Sequence, residues 1–136
     1  QGIAGLRLGW AVAHPRLARA LAQVTLPFGA SSIAQAAGLA TLTADARAEL
    51  DHRATHIRTE RARVQQALAA QGWELPDTQG NFVYFPLGVD TGTFTDFCWD
   101  RGLVVRGYVG DGVRITIAET EANDLTIAVA GEWLTR

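Results

Sequence analysis

The chain has 136 residues, of which 48% are hydrophobic and 19% charged, so it is long enough for one compact core or two small lobes. Its net charge of -2 offers no basic surface to nucleic acid or to an anionic membrane, and no apolar run reaches the roughly 18 residues of a membrane span. We therefore expect a globular, cytoplasmic protein that binds neither nucleic acid nor membrane.

Three residue types limit the available chemistry. All twelve basic residues are arginine, so this chain contains no lysine amine. The single Cys98 excludes an internal disulfide, and His52 and His56 lack the further ligands of a usual metal site, so we expect no metal ion. The chain also has no methionine, which indicates a piece of a longer protein.

The first elements in chain order are a strand and two helices. Residues 6–13 alternate imperfectly between apolar and other side chains, which predicts a mostly buried strand. Residues 15–24 predict an amphipathic helix with proline in its first turn. Ser31 or Ser32 is a candidate N-cap for a helix over residues 33–42, whose small and apolar residues predict that it is buried.

The longest predicted element is a helix over residues 45–71. Its apolar residues recur at helical spacing, and arginines alternate with acids on its other faces. We expect Glu60, with Glu49 and Asp51, to belong to a solvated face of salt bridges. Gly72 is expected to end the helix.

Beyond Gly72 the pattern changes to short strands, turns and two more helices. The strands are predicted at residues 73–75, 81–87, 103–108 and 112–118, and the helices at residues 92–102 and 121–134. The inward side chains are expected to be Phe94, Phe97 and Cys98 in the first helix, and Leu125, Ala128, Val129 and Trp133 or Leu134 in the last. The sequence thus predicts an α+β C-terminal part, with a domain boundary inside the long helix.

Three arginines lie within apolar stretches that are predicted to be strands. These are Arg7, Arg106 and Arg114. A guanidinium stays charged when buried, and its planar fork of donors matches a carboxylate or a phosphate. Each of them taken alone also fits the solvent face of an alternating strand. Together, and with the glycines that flank Arg7, they favour anion recognition.

The residues around these arginines resemble a known family. Residues 2–10, "GIAGLRLGW", resemble the segment after the cofactor lysine in fold-type I pyridoxal-phosphate (PLP) aminotransferases. Residues 26–42, 79–88 and 102–124 resemble, in the same order, later segments of the histidinol-phosphate aminotransferase group. Within that group the likeness is strongest to actinobacterial aromatic amino acid (phenylalanine) aminotransferases. It covers essentially the whole chain, which would be the C-terminal minority of such an enzyme.

The resemblance implies an α/β fold that is α+β in its C-terminal part. Residues 1–44 would be the end of the PLP-binding large domain, residues 45–72 the connecting helix and residues 73–136 the small domain. It also implies a homodimer. The chain lacks the Gly-Pro that is usual in the family after residues 114–117.

The resemblance also implies roles for individual residues. Arg7 would bind the cofactor phosphate, Arg114 the α-carboxylate of the substrate, and Arg106 would line the side-chain end of the substrate. Asn81 matches an asparagine of the family before a small-domain strand, where a site role and a turn-stabilising role are both open. The cofactor lysine would fall two residues before Gln1, so we expect the chain to contain no catalytic residue and to be inactive by itself.

The function implied is amino-group transfer between an aromatic amino acid and a 2-oxo acid, with PLP as the cofactor. A histidinol-phosphate aminotransferase is the alternative within the family. A second alternative is a non-catalytic, aminotransferase-like domain of a regulatory protein.

Overall fold

The computed structural model describes all 136 residues and contains five α-helices and three β-strands. The chain divides into two compact units, Gln1–His52 and Arg53–Arg136, and the division falls inside the longest helix. The elements are α1 (Pro15–Val24), α2 (Ser32–Ala40), α3 (Ala44–Ala70), β1 (Phe82–Phe85), α4 (Thr91–Trp99), β2 (Arg106–Tyr108), β3 (Gly112–Thr116) and α5 (Thr120–Leu134). None of the helices combines the length and the apolar character that crossing a lipid bilayer requires.

In the first unit, capping side chains begin both short helices. The His14 side chain accepts a hydrogen bond from the Arg16 backbone N–H at 3.3 Å, with proline at the first helical position of α1. The Ser31 hydroxyl accepts a hydrogen bond from the Ala34 N–H at 3.1 Å, which identifies Ser31 as the N-cap of α2. The predicted bounds of α1 and the predicted start of α2 are confirmed.

Two predictions for the first unit are wrong. Residues 6–13 form no strand; a 3-10 turn at Ala4–Leu6 is followed by irregular backbone. A strand requires a partner, and the one sheet of the chain is made by β1, β2 and β3. The helix α2 buries only Ala34 and Gly38, because few elements of this unit are available to cover its other faces.

The second unit is built on a three-stranded antiparallel sheet with the order β1-β3-β2. Successive side chains of a strand point to opposite faces, so Val83 and Phe85 lie on the same face as Val113 and Ile115. All four are buried and form the sheet side of the hydrophobic core. We call this the inner face of the sheet.

Helices supply the rest of this core. Val64 and Leu68 of α3 are fully buried, as are Phe94 and Cys98 of α4. The Phe94 ring packs edge-on against Trp133 of α5 with ring centroids 4.9 Å apart. The helices therefore pack against the inner face of the sheet. We call the opposite face the outer face.

Residues 73–75 are not the strand that their apolar character predicts. Trp73 instead packs its ring edge-on against Phe85 at 4.9 Å, and its indole N–H donates to the Ala130 carbonyl oxygen at 3.3 Å. The tryptophan joins the core through its side chain, so its backbone needs no pairing in the sheet.

The inward face of α5 also differs from its prediction. Val129 and Trp133 are buried as expected, whereas Leu125 and Ala128 are exposed. Asn123 and Thr126 take their place in the interior. The buried face of α5 is therefore turned toward Asn123 and Thr126 relative to the predicted face. The reason is that a buried carboxylate on α3 accepts a hydrogen bond from Asn123.

That carboxylate is Glu60, which is 7% exposed and not on the solvated face that the sequence predicts. It accepts two hydrogen bonds from Arg63, at 2.9 and 2.8 Å, and one from the Asn123 amide at 2.8 Å. The same amide group accepts from the Ala118 N–H and donates to the Ala118 carbonyl, both at 2.9 Å. Asn123 thus fixes the segment after β3, where the Gly-Pro that the resemblance leads one to expect is missing.

Acid is expected to weaken this link. The hydrogen bonds from Arg63, and then the one from Asn123, lower the pKa of Glu60 from 4.5 to about 2. Because the folded-state pKa is depressed, the contribution of Glu60 to stability is complete above pH 4.5 and is lost as the pH falls toward 2.

We expect Glu60→Gln to lower the melting temperature by several degrees near neutral pH, with a difference that shrinks below about pH 4. Circular dichroism melts across this pH range measure it. Glu74→Gln, at an exposed carboxylate, is the matched control and should leave the melting temperature nearly unchanged. A Glu60→Gln deficit that stays constant down to about pH 2 would contradict the role of the Glu60 charge.

Candidate functional site

The outer face of the sheet carries a row of three side chains that crosses all three strands. Tyr84 of β1 is directly opposite Arg114 of β3, and Arg114 is directly opposite Arg106 of β2. Directly opposed side chains on one face have their Cβ atoms about 5 Å apart. The structure therefore places two of the arginines predicted from the sequence side by side.

Two like charges in this position destabilise a sheet unless an anion neutralises them. Neither Arg106 nor Arg114 forms an ion pair with a carboxylate of the chain. The Nε atom of Arg114 is buried and has no hydrogen-bond partner. A buried donor without a partner is costly, so this guanidinium is suited to an anionic ligand.

Beside Arg114 lies a cavity of about 310 Å³. Its walls are mainly aromatic, and it holds one charged group of each sign. The lining residues are Phe82, Tyr84, Tyr108, Asp111 and Arg114. The Arg114 guanidinium carbon is 5.9 Å from the centroid of the Phe82 ring, within the range of a cation–π contact. The cavity can thus take a small molecule with one acidic group and an apolar body.

The Tyr84 hydroxyl is the second polar atom in this cavity that is buried without a hydrogen-bond partner. Burial, and then the neighbouring Asp111 carboxylate, raise the pKa of Tyr84 above 10.0. Although Asp111 is near enough to raise this pKa, the hydroxyl forms no hydrogen bond of good geometry with it. Tyr84 is therefore a neutral phenol that keeps its proton available for donation.

Gly112 makes room for the Tyr84 ring. A Cβ atom at this position would stand 2.8 Å from both Cζ and the hydroxyl oxygen of Tyr84, and it would collide with the Phe85 carbonyl oxygen. Glycine is the residue that lets β3 pair closely with β1 while the tyrosine ring lies over its backbone.

The other predicted residues of this unit, Arg106 and Asn81, do not line the cavity. Arg106 is exposed, with its guanidinium carbon 6.0 Å from the Tyr108 ring centroid, and it does not line the cavity. Asn81 is exposed just before β1, and its carbonyl oxygen accepts from the Ile117 N–H at 2.8 Å. Asn81 therefore joins the ends of β1 and β3 through its backbone, while its side chain makes no hydrogen bond. Ligand roles for Arg106, Arg114 and Asn81 stay predictions.

Arg7 belongs to the first unit. It is exposed, ends the 3-10 turn Ala4–Leu6 in the left-handed region with φ 56°, and is not embedded in an apolar strand. One guanidinium nitrogen donates to the Ala4 carbonyl at 3.2 Å, and no carboxylate pairs with it. Its exposed guanidinium keeps further donors, of the kind that can hold a phosphate group, so a cofactor-binding role for Arg7 stays a prediction. No group of His, Cys, Asp and Glu side chains gathers in a way that could hold a metal ion.

Reasoning from the sequence missed Asp111 as a cavity residue. It stands in the turn between the two arginine-bearing strands, where an aspartate before glycine reads as an ordinary turn residue. No local signal marks Asp111, because its place beside Tyr84 depends on the pairing of β1 with β3.

The chain matches the family described as aminotransferase class I and II over residues 1–131. It is 48% identical to the aromatic amino acid aminotransferase of Streptomyces coelicolor over 97% of the chain and 36% of that protein. It is 47% identical to the aromatic amino acid aminotransferase of Mycobacterium tuberculosis strain H37Rv, over 97% of the chain and 37% of that protein. The chain thus spans about a third of the length of these relatives.

A solved structure gives a similar result. The crystal structure of a putative aminotransferase from Burkholderia pseudomallei has a TM-score of 0.79 and 28% sequence identity to this chain. The match covers 97% of the chain and 41% of the crystallised protein. This similarity confirms the fold class that the sequence predicts.

The contact at Gly112 yields a test of the site geometry. We expect Gly112→Ala to displace the Tyr84 ring, loosen the pairing of β1 with β3 and lower the melting temperature. Gly92→Ala is the matched control, because a Cβ there meets nothing within 4 Å and alanine favours the helix α4. Melting curves give the melting temperatures of the two variants. Equal values for Gly112→Ala and Gly92→Ala would show that the space at Gly112 is not restricted.

Proposed function

We propose that this chain, which belongs to the aminotransferase class I and II family, is the C-terminal part of a PLP-dependent aminotransferase that acts on aromatic amino acids and 2-oxo acids. The main support for this proposal is the Nε atom of Arg114, which is buried without a hydrogen-bond partner beside an aromatic cavity. The named relatives with 48% and 47% identity support the substrate class. The aminotransferase activity is proposed for the whole protein, of which this chain is a part.

In this proposal Arg114 binds the α-carboxylate that every amino acid and 2-oxo acid substrate carries. A guanidinium and a carboxylate form two parallel hydrogen bonds, which fix both the position and the direction of the bound acid. Such fixing aligns the reacting carbon and lowers the entropic part of the barrier. The side chain of the substrate then meets Phe82, Tyr84 and Tyr108, whose rings suit an aromatic group.

PLP supplies an electron sink for amino-group transfer when it is bound. Within this chain, Arg7 would hold its phosphate, since this guanidinium is exposed and has donors to spare. The chain has no lysine, so the residue that links covalently to the cofactor would have to come from outside these 136 residues. The share of this chain is therefore anion binding and substrate orientation.

We also infer that the whole protein is a homodimer. The first unit exposes large apolar side chains, including Phe28 and Val24, and Leu39 on α2. Apolar surface of this extent is typical of faces that other protein covers. These exposed side chains indicate that other parts of the protein pack against α1 and α2. A second subunit would be one such partner.

The role of Arg114 predicts a specific kinetic change in the full-length protein that contains this chain. We expect Arg114→Gln to raise KM for phenylalanine by about 10- to 100-fold, because the bidentate pair with the α-carboxylate is lost. Steady-state kinetics measure this, with Arg58→Gln, an exposed arginine outside the sheet, as the control. An unchanged KM would contradict the proposal, and far better turnover of histidinol phosphate than of phenylalanine would overturn the assigned substrate class.

The role of Arg7 predicts a loss of phosphate affinity. We expect Arg7→Gln to weaken the binding of PLP by about tenfold or more, and to leave the binding of pyridoxal, which has no phosphate, nearly unchanged. Fluorescence titration of the full-length apoprotein measures both dissociation constants. Arg19→Gln, also exposed and in the same unit, is the control. Equal weakening of both ligands would argue against a phosphate contact.

A further inference from the structure

We infer that Arg61 is a positioning residue of the substrate site, because it fixes the backbone from which the Phe82 ring reaches Arg114. The inference rests on the proposed function, since it takes Arg114 as the site of the α-carboxylate. Arg61 is on α3 and does not line the cavity, so its effect on the reaction passes through residues 79–82. Neither the family resemblance nor the comparisons assign a role to Arg61.

Arg61 joins the long helix to the segment that leads into β1. One terminal nitrogen of its guanidinium donates to the Gly80 carbonyl oxygen at 2.8 Å, and the other donates to the side-chain oxygen of Gln79 at 3.4 Å. Arg61 is half-buried, and a hydrogen bond from a charged donor is about twice as strong as one between neutral groups. The guanidinium therefore holds the backbone at Gly80 at a set distance from α3.

The neighbouring backbone groups of this segment are bonded as well. The Gly80 N–H donates to the Thr78 hydroxyl at 3.1 Å, and the Asn81 carbonyl oxygen accepts from the Ile117 N–H at 2.8 Å. The segment is thus tied to the end of β3 on one side and to α3 on the other. Without Arg61 the Gly80 carbonyl loses its partner, and the segment is free to turn about its bond with Ile117.

The Phe82 ring transmits such a movement, because it lies directly against Gly80. A Cβ atom at Gly80 would stand 2.6 Å from Cε1 of the ring and 2.9 Å from Cδ1, closer than side chains pack. The ring therefore occupies the space that the missing side chain of glycine leaves. A shift of the backbone at Gly80 moves the surface on which the ring rests.

On its other side, Phe82 borders Arg114. Phe82 is opposite Thr116 on β3 and therefore diagonal to Arg114 on the outer face, a separation that aromatic and long side chains can bridge. The guanidinium carbon of Arg114 is 5.9 Å from the Phe82 ring centroid, and both residues line the cavity. The ring limits the directions that this guanidinium can take, and binding a carboxylate through two hydrogen bonds requires a defined direction.

The test uses the full-length protein that contains this chain, loaded with PLP. Steady-state kinetics with phenylalanine give KM and kcat for Arg61→Gln, Arg61→Lys, Phe82→Leu and the double variant that combines Arg61→Gln with Phe82→Leu. Arg58→Gln is the matched control, because Arg58 is exposed on the same helix and donates to the Thr55 hydroxyl within that helix at 3.1 Å. Melting curves measure the stability of every variant.

We expect Arg61→Gln to raise KM for phenylalanine about fivefold and to change kcat by less than about twofold, because binding through Arg114 weakens. A mere loss of folded protein lowers kcat and leaves KM where it was. Arg61→Lys keeps one charged donor for the Gly80 carbonyl and should raise KM only about twofold. In the Phe82→Leu background, Arg61→Gln should raise KM by less than about twofold, since its effect acts through the ring.

Three results would overturn the inference. These are a KM that stays at the parent value in both Arg61 variants, an equal rise in KM with and without the Phe82 ring, and an equal rise in Arg58→Gln. Arg114→Gln separates them from the proposed function. If Arg114→Gln still raises KM, the role of Arg61 fails while the proposed function stands; if Arg114→Gln leaves KM unchanged, the proposed function fails first.

Discussion

The pairing of β3 between β1 and β2 is the constraint on which the second unit depends. Because the side chains of a strand alternate, one five-residue strand sends Val113 and Ile115 into the core and turns Arg114 to the outer face. A shift of one residue in register would put the guanidinium into the core and the two apolar side chains on the outer face. Hydrophobic burial on one face therefore fixes the position of the charge on the other.

The buried Glu60 links the helices to the same strand. Its hydrogen bonds with Arg63 and Asn123 join α3 to α5, and Asn123 holds the backbone of Ala118 just after β3. A carboxylate that is buried and fully hydrogen-bonded imposes one arrangement of its partners, since any other leaves a charge unpaired. The strand that carries Arg114 is thus held by its sheet neighbours and by a polar link behind its C-terminal end.

The outer face combines features that a folded protein usually avoids. Two arginines stand opposite each other without acidic partners, and buried polar atoms of Arg114 and Tyr84 lack hydrogen bonds. Local costs of this kind are common where a ligand completes the interactions. The unpaired atoms of Arg114 and Tyr84 lie at one cavity with aromatic walls, and the proposed α-carboxylate would supply the missing acceptor for Arg114.

Local patterns in the sequence predicted most elements of the chain. Periodicity, caps and glycines predicted all five helices, and β-branched and aromatic runs predicted the three strands, because these signals act over a few neighbouring residues. Four segments in order, at residues 2–10, 26–42, 79–88 and 102–124, also indicated the family. Tertiary structure alone decided that residues 6–13 and 73–75 are not strands, because pairing requires a partner distant in the chain. It likewise decided that Glu60 is buried and that Asp111 meets Tyr84, since both contacts join segments that the sequence separates.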